Sequence, residues 1–282
     1  MNNPSQQDGG SAYGGNDLDS SRPHSARMYD YFLGGKDNYL PDRQAAGKVL
    51  AAWPSVMVGA RTNRAFMHRA TRLLAERGIR QFLDIGTGIP TRPNLHEVAQ
   101  GVAPEARVVY ADFDPIVLRQ AQALLSSTAE GRTSYVQADV TDPATLLAAP
   151  ELNETLDFSQ PVALSLNALL HFVADEHRPY DIVQQLVGAL APGSYLSLSH
   201  VTTDADPETL GRVQEIYHSS GINGKLRTKP EVEEFFTGLE LLEPGVEMAH
   251  RWRPSEDPEH QVVTGHVEDA EVSVWAGVAR KP

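Results

Sequence analysis

The stretch Gln81–Thr91, with the sequence QFLDIGTGIPT, determines how the rest of the chain is interpreted. Phe82, Leu83 and Ile85 are apolar side chains of the kind found in a buried parallel strand. The Gly-Thr-Gly that follows predicts a tight turn in which the backbone can approach a ligand, because glycine has no Cβ atom. Asp84 places a carboxylate at the end of this strand, at the edge where open α/β sheets bind their ligands.

The composition limits the class of protein. The chain has 282 residues, 41% of them hydrophobic, which is enough for one large domain with a small accessory segment. A net charge of −13 argues against a nucleic-acid partner and against an anionic membrane surface, because both need clustered Lys and Arg. There is no cysteine, which excludes disulfides, thiolate metal sites and cysteine nucleophiles.

No segment of the sequence indicates export or membrane insertion. The N-terminal residues lack a basic region followed by an apolar run, so we expect no signal peptide. The most apolar uncharged run, Pro161–Ala174, is too short and too polar to cross a bilayer. These features predict a soluble cytoplasmic protein.

Three regions follow from the pattern along the chain. Residues 1–24 are rich in Asn, Ser, Gln and Gly and are predicted to be a disordered tail, because they cannot bury enough apolar surface. Residues 25–78 are predicted to form an N-terminal helical segment. Residues 79–282 alternate strands with helices, which predicts one α/β domain.

Seven strands are predicted in that domain. Because helices separate most of them, the sheet should be mostly parallel with helices on both faces, a Rossmann-like arrangement. No helix separates the last two strands, which are therefore expected to form an antiparallel edge. The predicted strands span residues 81–85, 107–111, 133–138, 161–166, 194–201, 239–242 and 272–279.

The N-terminal stretch SARMYDYFLGGKDNYL (25–40) concentrates aromatic and polar side chains around a Gly-Gly pair. One interpretation is a lid that closes on a ligand, with Gly34-Gly35 supplying flexibility. In the other, Tyr29 and Tyr31 belong to an arm that packs its rings on the core.

The glycine turn fits two nucleotide-containing ligands. Asp112 lies 21 residues after Thr91, a suitable distance for a carboxylate that binds a ribose, as needed for both NAD and S-adenosylmethionine. Thr91 stands where a dinucleotide fingerprint has its third glycine. Asp84 would repel a pyrophosphate but attract a positively charged sulfonium, and Asp139 could accept a hydrogen bond from an adenine amino group. The pattern therefore favours S-adenosylmethionine.

These segments resemble a known family. FLDIGTGIPT, VVYADFDPIVL, YVQADV and a fourth strand ending in Asn167 resemble motifs I to IV of class I S-adenosylmethionine-dependent methyltransferases. APGSYLSLS is similar to the fifth strand of that class. SARMYDYFLGGKDNY, together with the Ile-Pro-Thr after the glycines, resembles the bacterial S-adenosyl methyltransferase family, whose substrates are largely unassigned. The resemblance runs from about Ser25 to the end of the sequence.

The resemblance implies a role for each motif. Those at the first three strand ends would bind the cofactor: Asp84, Gly86, Thr87 and Gly88 its methionine end, Asp112 the ribose, Phe113 the adenine face, and Asp139 with Val140 the adenine edge. Asn167 would lie where the fourth strand opens toward the substrate. In the arm, the rings of Tyr29 and Tyr31 could stabilise the sulfonium, and Asp37 or Asn38 could bind its amino or carboxylate group.

Other interpretations of these residues stay open. Asp112 could cap the next helix, although Asp114, followed by Pro115, suits that role better. His171 could be a catalytic base or a hydrogen-bonded core residue, and the same holds for His200. The spacing of His, Asp and Glu indicates no metal site.

The sequence predicts methyl transfer from S-adenosylmethionine to a small-molecule acceptor that it does not identify. One alternative is a non-catalytic S-adenosylmethionine-binding protein of the same fold. A second is an NAD-dependent oxidoreductase, which Asp84 and Thr91 disfavour. A third is a nucleic-acid methyltransferase, disfavoured by the acidic charge and by the lack of an Asn-Pro-Pro-aromatic motif after the fourth strand.

Overall fold

A computed structural model describes residues 20–124, 126–254 and 266–282. Five parallel strands form most of its sheet. The strand order is β3-β2-β1-β4-β5-β8-β6, and β7 also pairs with β8. β8 runs antiparallel to β5, β6 and β7. The strands are β1 Gln81–Ile85, β2 Arg107–Asp112, β3 Arg132–Gln137, β4 Ala163–Asn167, β5 Tyr195–Val201, β6 Glu240–Leu241, β7 Glu247–Met248 and β8 Val274–Arg280.

The predicted fold class is confirmed, with differences in detail. The sheet has one strand more than predicted, the two-residue strand β7. The antiparallel part therefore contains three strands, β6, β7 and β8, where the sequence predicted two. Helices α6 and α7 precede β4 and were not predicted, and the predicted N-terminal helical segment consists of three helices, α1 to α3. The helices are α1 Ser25–Phe32, α2 Leu40–Ala52, α3 Val56–Glu76, α4 Leu95–Val102, α5 Pro115–Leu124, α6 Pro143–Ala148, α7 Pro150–Thr155, α8 Pro179–Gly188, α9 Pro207–Ser219, α10 Lys229–Glu234 and α11 Asp269–Val272.

Several helix starts follow directly from capping residues. The Asp206 carboxylate accepts the backbone N–H of Thr209 and caps α9. A capping box begins α10, since Glu231 accepts the backbone N–H of Thr228 at 2.8 Å. Asp114 accepts the backbone N–H of Ile116 at the start of α5.

The strand order reverses at β1, and this reversal determines where the ligand-binding edge of the sheet lies. β1 lies between β2 and β4, so the chain crosses to opposite sides of the sheet after β1 and after β3. In the register, Asp84 lies beside Tyr110 on one side and Ser165 on the other. A crevice outside the carboxyl ends of the strands at such a reversal is the usual ligand site of an open α/β sheet.

Three apolar clusters form the interior. Two contain the side chains of the two faces of the sheet with the helices that cover them. The third lies apart from the sheet faces and joins α1, α2 and the start of α3 to α9, with Met28, Trp53 and Val213 among its buried members. The N-terminal helices therefore make their own core with α9.

The first N-terminal helix is fixed by Asp42, which is fully buried. Its carboxylate accepts the backbone N–H groups of His24 and Tyr39, each at 2.8 Å, and the Nε–H of Arg27 at 2.9 Å. Nη1 of Arg27 also lies 3.5 Å from a carboxylate oxygen of Asp114, just after β2. These contacts attach α1 to α2 and to the end of β2.

Parts of the sequence predictions lie outside the described residues. Residues 1–19 of the predicted tail are not described, nor are residues 255–265 of the predicted loop before the last strand, which include His260. No helix in the described part of the chain has both the length and the apolarity that a membrane span requires.

Replacing Asp42 by Ala should lower the free energy of unfolding by about 3 kcal/mol, because it leaves the buried Arg27 without its closest ionic partner. Urea denaturation would measure this. The matched control is Glu208→Ala, which removes an exposed i,i+4 pair with Arg212 and should cost less than about 1 kcal/mol. Equal losses in the two variants would show that Asp42 does not fix the arm.

Candidate functional site

The turn after β1 has the glycine geometry that its sequence predicts. Gly86 and Gly88 have φ angles of 72° and 66°, in the left-handed region that favours glycine. A Cβ atom on Gly86 would lie 2.6 Å from a side-chain carbon of Leu169, so the position also needs glycine for space. The Gly86 N–H donates to the carbonyl of Ala111 at 2.8 Å, which holds the turn against the end of β2.

The Asp112 carboxylate joins the first two strand ends. One oxygen accepts the backbone N–H of Gly88 at 2.9 Å and the other accepts that of Asp114 at 3.0 Å. Burial raises the pKa of Asp112 to about 6, although these backbone hydrogen bonds oppose the shift. The protein thus keeps a carboxylate in an apolar setting with backbone N–H groups as its partners.

The Asp84 carboxylate faces the same cavity. Burial raises its pKa to about 6, while a hydrogen bond with Ser165 and the positive charge of Arg64 lower it. Arg64 also lines the cavity and donates to the backbone carbonyls of Thr91 and Pro93, the latter at 2.9 Å. The cavity end at β1 therefore carries one cation and two carboxylates.

A series of hydrogen bonds between side chains crosses the end of β4. Ser199 donates to Oδ1 of Asn63 at 2.5 Å and accepts the backbone N–H of Ala168 at 2.9 Å. Asn63 in turn donates to the hydroxyl of Tyr29 at 2.9 Å. Ala168 has a φ of 51°, which is unusual for a residue with a Cβ atom and is typical of turns at functional sites. Asn167, the preceding residue, lines the cavity.

The arm covers the cavity from above the strand ends. The hydroxyl of Tyr29 donates to the carbonyl of Ala60 at 3.0 Å, so its ring rather than its hydroxyl is available to a ligand. His24 and Phe113 both line the cavity, with ring centroids 5.0 Å apart. Phe113 keeps 54% of its surface exposed, which is high for a phenylalanine beside a cavity.

Several predicted arm and strand-end residues are not among those that line the cavity. The Asn38 side chain donates to Asp30 at 2.7 Å, and Asp37 is exposed with its backbone N–H bonded to the same carboxylate. The ring of Tyr31 packs beside the third apolar cluster. Asp139 and Val140, in the turn after β3, do not line the cavity either: Asp139 is exposed and caps its own turn, and Val140 is buried in the core.

The two histidines singled out from the sequence have different surroundings. His200 is fully buried, with Nδ1 2.7 Å from the carbonyl of Val201 and Nε2 3.1 Å from the guanidinium of Arg227. Burial lowers the pKa of His200 to about 3, so it is a neutral core residue. His171 lines the cavity and its Nδ1 is buried without a hydrogen-bond partner in the described structure.

Comparisons with known proteins show the family to which the chain belongs. The family model described as S-adenosyl methyltransferase matches residues 11–282. The chain belongs to the S-adenosyl methyltransferase family. This membership confirms the predicted family and the predicted class of cofactor, an S-adenosyl compound.

Solved structures of the same shape include two with substantial sequence identity. A DUF574 family protein from Streptomyces avermitilis is 51% identical, with a TM-score of 0.90 over 94% of this chain and 100% of its own. A proposed methyltransferase from Thermobifida fusca is 39% identical, with a TM-score of 0.84 over 96% and 99%. The plantazolicin methyltransferase BpumL shares the fold, at 13% identity and a TM-score of 0.52 over 91% and 96%. No curated protein matches the sequence.

Sequence reasoning missed some residues of the site. Four arginines recur on α3, and the sequence does not show which of them leave solvent: Arg64 lines the cavity and Arg69 donates to the carbonyl of Trp252 at 3.0 Å. Their spacing alone could not separate them, because it does not say which side of the helix faces the strand ends. His24 also lines the cavity, although it lies just before the motif 25–40 and nothing in the sequence distinguishes it.

Asp84→Asn should make the ligand-free protein more stable at pH 7.5, by about 1 to 2 kcal/mol. The pKa of Asp84 is raised on folding, so the folded chain holds a proton between about pH 4 and 6 that the unfolded chain releases. The stability of wild type therefore falls as pH rises through this window, and the stability of the variant should fall less. Urea denaturation across the window measures the difference.

The control for this prediction is Asp181→Asn, which changes an exposed carboxylate paired with Arg178 on the surface. Its stability should stay within about 0.5 kcal/mol of wild type at each pH. A pH dependence in Asp84→Asn equal to that of wild type would show that Asp84 is not the buried group.

Proposed function

We propose that this protein transfers the methyl group of S-adenosylmethionine to a small-molecule acceptor. The observation that carries the proposal is the pairing of two carboxylates, the half-buried Asp84 and the buried Asp112, at one end of a cavity that continues into the protein. The cofactor would supply an electrophilic methyl group on a positively charged sulfur. The residues of the chain would hold it, orient it and exclude water.

The residues near β1 fit the methionine end of the cofactor. An amino acid carries an ammonium and a carboxylate, and this end of the cavity offers Asp84 and Arg64 as opposite charges. Asp84 would accept hydrogen bonds from the ammonium, and that positive charge would return the pKa of Asp84 toward its ordinary range. Arg64 would face the carboxylate, with its position fixed by the carbonyls of Thr91 and Pro93.

The residues near β2 fit the nucleoside. Each oxygen of Asp112 accepts one backbone N–H and keeps a lone pair, so the carboxylate can also accept two ribose hydroxyls. The exposed ring of Phe113 would pack on the adenine and lose that exposure. Gly86 and Gly88 would let the ligand lie directly against the turn.

The arm would orient the reacting sulfur and keep water away. The ring of Tyr29 lines the cavity while its hydroxyl is held by Ala60 and Asn63, which leaves the aromatic face for a cation–π contact. Asn167 would lie at the border with the acceptor. The contacts of Arg27 with Asp42 and Asp114 would keep the arm closed over this region.

Calorimetric titration with S-adenosylhomocysteine tests the assignment of the two carboxylates. Asp84→Asn and Asp112→Asn should each weaken binding by roughly tenfold or more, because each removes charged hydrogen-bond acceptors. Asp37→Asn, on the exposed side of the arm, should bind like wild type, as should the surface control Asp181→Asn. Unchanged affinity in both cavity variants would contradict the proposed binding mode.

A thermal-shift comparison tests the choice of cofactor. S-adenosylmethionine at about 100 times its Kd should add about 2.7 kcal/mol of stability, or roughly 5 to 10 °C in Tm. NAD at the same concentration should give no shift, since Asp84 would repel its pyrophosphate. A shift with NAD alone would overturn the proposal, and a shift with neither compound would overturn it as well.

A further inference from the structure

The cavity continues past the strand ends into a second region, here called the inner compartment. Its walls come from the N-terminal helices on one side and from α9 and the loop after it on the other. These walls are mainly apolar and aromatic, and they include Phe32, Val49, Trp53, Val213, Tyr217 and Leu226. The inner compartment therefore lies in the third apolar cluster, apart from the sheet.

Carboxylate and guanidinium groups are confined to the other end of the cavity, and the ionisable side chain that α9 adds to the described lining is that of His218. Among the described residues that line it, the carboxylates and guanidinium are those of Asp84, Asp112 and Arg64. The inner compartment offers polar but neutral groups, including the side chains of Gln214 and Asn223. A charged acceptor would lose its hydration there without gaining an ionic partner, so the lining selects an uncharged molecule.

His171 lies in this lining, and its Nδ1 is buried without a hydrogen-bond partner in the described structure. It is 7% exposed, and neither ring nitrogen makes a hydrogen bond with the described residues. Buried polar groups are normally hydrogen-bonded. His200 obeys that rule, because both of its ring nitrogens have partners. A ligand in the cavity can therefore supply the hydrogen-bond partner that the His171 ring lacks.

The backbone of His171 is held firmly from both sides. The fully buried Arg227 donates to the carbonyls of Leu170 at 3.0 Å and Val173 at 3.1 Å, on either side of the histidine. The backbone N–H of Lys225 donates to the carbonyl of His171 itself at 2.9 Å. The ring is thus positioned by elements that do not use its nitrogens.

We propose that the inner compartment binds a neutral, largely apolar acceptor with one hydroxyl or N–H group, and that His171 accepts the hydrogen bond from this group. This inference rests on the proposed function, and it adds the substrate class and a catalytic residue to it. Burial and the charge of Arg227 lower the pKa of His171, so the ring is neutral and one nitrogen has a free lone pair.

The transfer then balances in charge and in atoms. A lone pair of the acceptor's oxygen or nitrogen bonds the methyl carbon, and the proton of that group passes to the imidazole of His171. The methyl–sulfur bond breaks with its electron pair kept on sulfur, which leaves S-adenosylhomocysteine. One positive charge leaves the sulfur and one appears on the imidazolium, which returns its proton to solvent. The total charge of the cavity therefore does not change during transfer.

The experiment uses the full chain saturated with S-adenosylhomocysteine and two probes of the same shape. 2-Naphthol has a hydroxyl donor, and 2-methoxynaphthalene has a methyl ether in its place. We expect wild type to bind 2-naphthol about tenfold more tightly by fluorescence titration, because only the hydroxyl satisfies His171. We expect His171→Phe to bind both probes equally and His171→Gln, which keeps an acceptor, to retain part of the preference.

The matched control is His177→Gln, an exposed histidine six residues further along, which should keep the wild-type preference. The charged probe 2-naphthoate should bind much more weakly than 2-naphthol. Any of three results would overturn the inference: His171→Phe keeps the tenfold preference, 2-naphthoate binds tightly, or neither neutral probe binds. The calorimetric titration with S-adenosylhomocysteine is separate: if that fails in wild type, the proposed function itself is wrong.

Discussion

Two carboxylates lie at neighbouring strand ends in surroundings that disfavour their charge, and the rest of the site depends on how the chain accommodates them. Asp84 and Asp112 both have a raised pKa because the surroundings disfavour their charge. Burying a carboxylate without a full ionic partner costs stability, which a protein retains only where the group has a use. The glycine turn, the N–H groups of Gly88 and Asp114, and the nearby Arg64 each reduce that cost without removing it.

The N-terminal helices complete the arrangement. They bring no strand to the sheet, yet they form their own apolar cluster with α9 and contribute Tyr29, Asn63 and Arg64 to the cavity. Asp42 holds the first of these helices in place through one side chain and two backbone groups. The acidic strand ends and the apolar compartment thus become two ends of one cavity.

Sequence reasoning found the sheet and its ligand-binding edge because both depend on local patterns. The apolar run before Gly86, its glycine turn and Asp112 at the next strand end are readable without any long-range information. Three-dimensional contacts decide the rest. Asp37 and Asn38 look like ligand-binding residues in the sequence, but they satisfy the buried carboxylate of Asp30. A two-residue strand such as β7 has no period that could reveal it.

Residues whose role depends on contacts with segments distant in sequence were the hardest to identify. Arg227 lies in an ordinary loop, and its role follows only from the carbonyls that surround it after folding. The difference between His171, which follows β4, and His200, which lies near the end of β5, has the same origin, because only the folded contacts show which ring nitrogens have partners. Pattern therefore locates the site, while packing determines which of its residues are free to act.

The position of β8 has a consequence for how the molecule is assembled during synthesis. β8 comes after all the other strands in the sequence, yet it pairs between β5 and β6, and α11 just before it carries the carbonyl of Ala270 that receives the indole N–H of Trp53 at 3.2 Å. Domains generally fold as units during synthesis. Here the earliest helices cannot reach their final setting until residues 269–280 have emerged, so a nascent chain would carry an open, unfinished pocket until translation had passed that point.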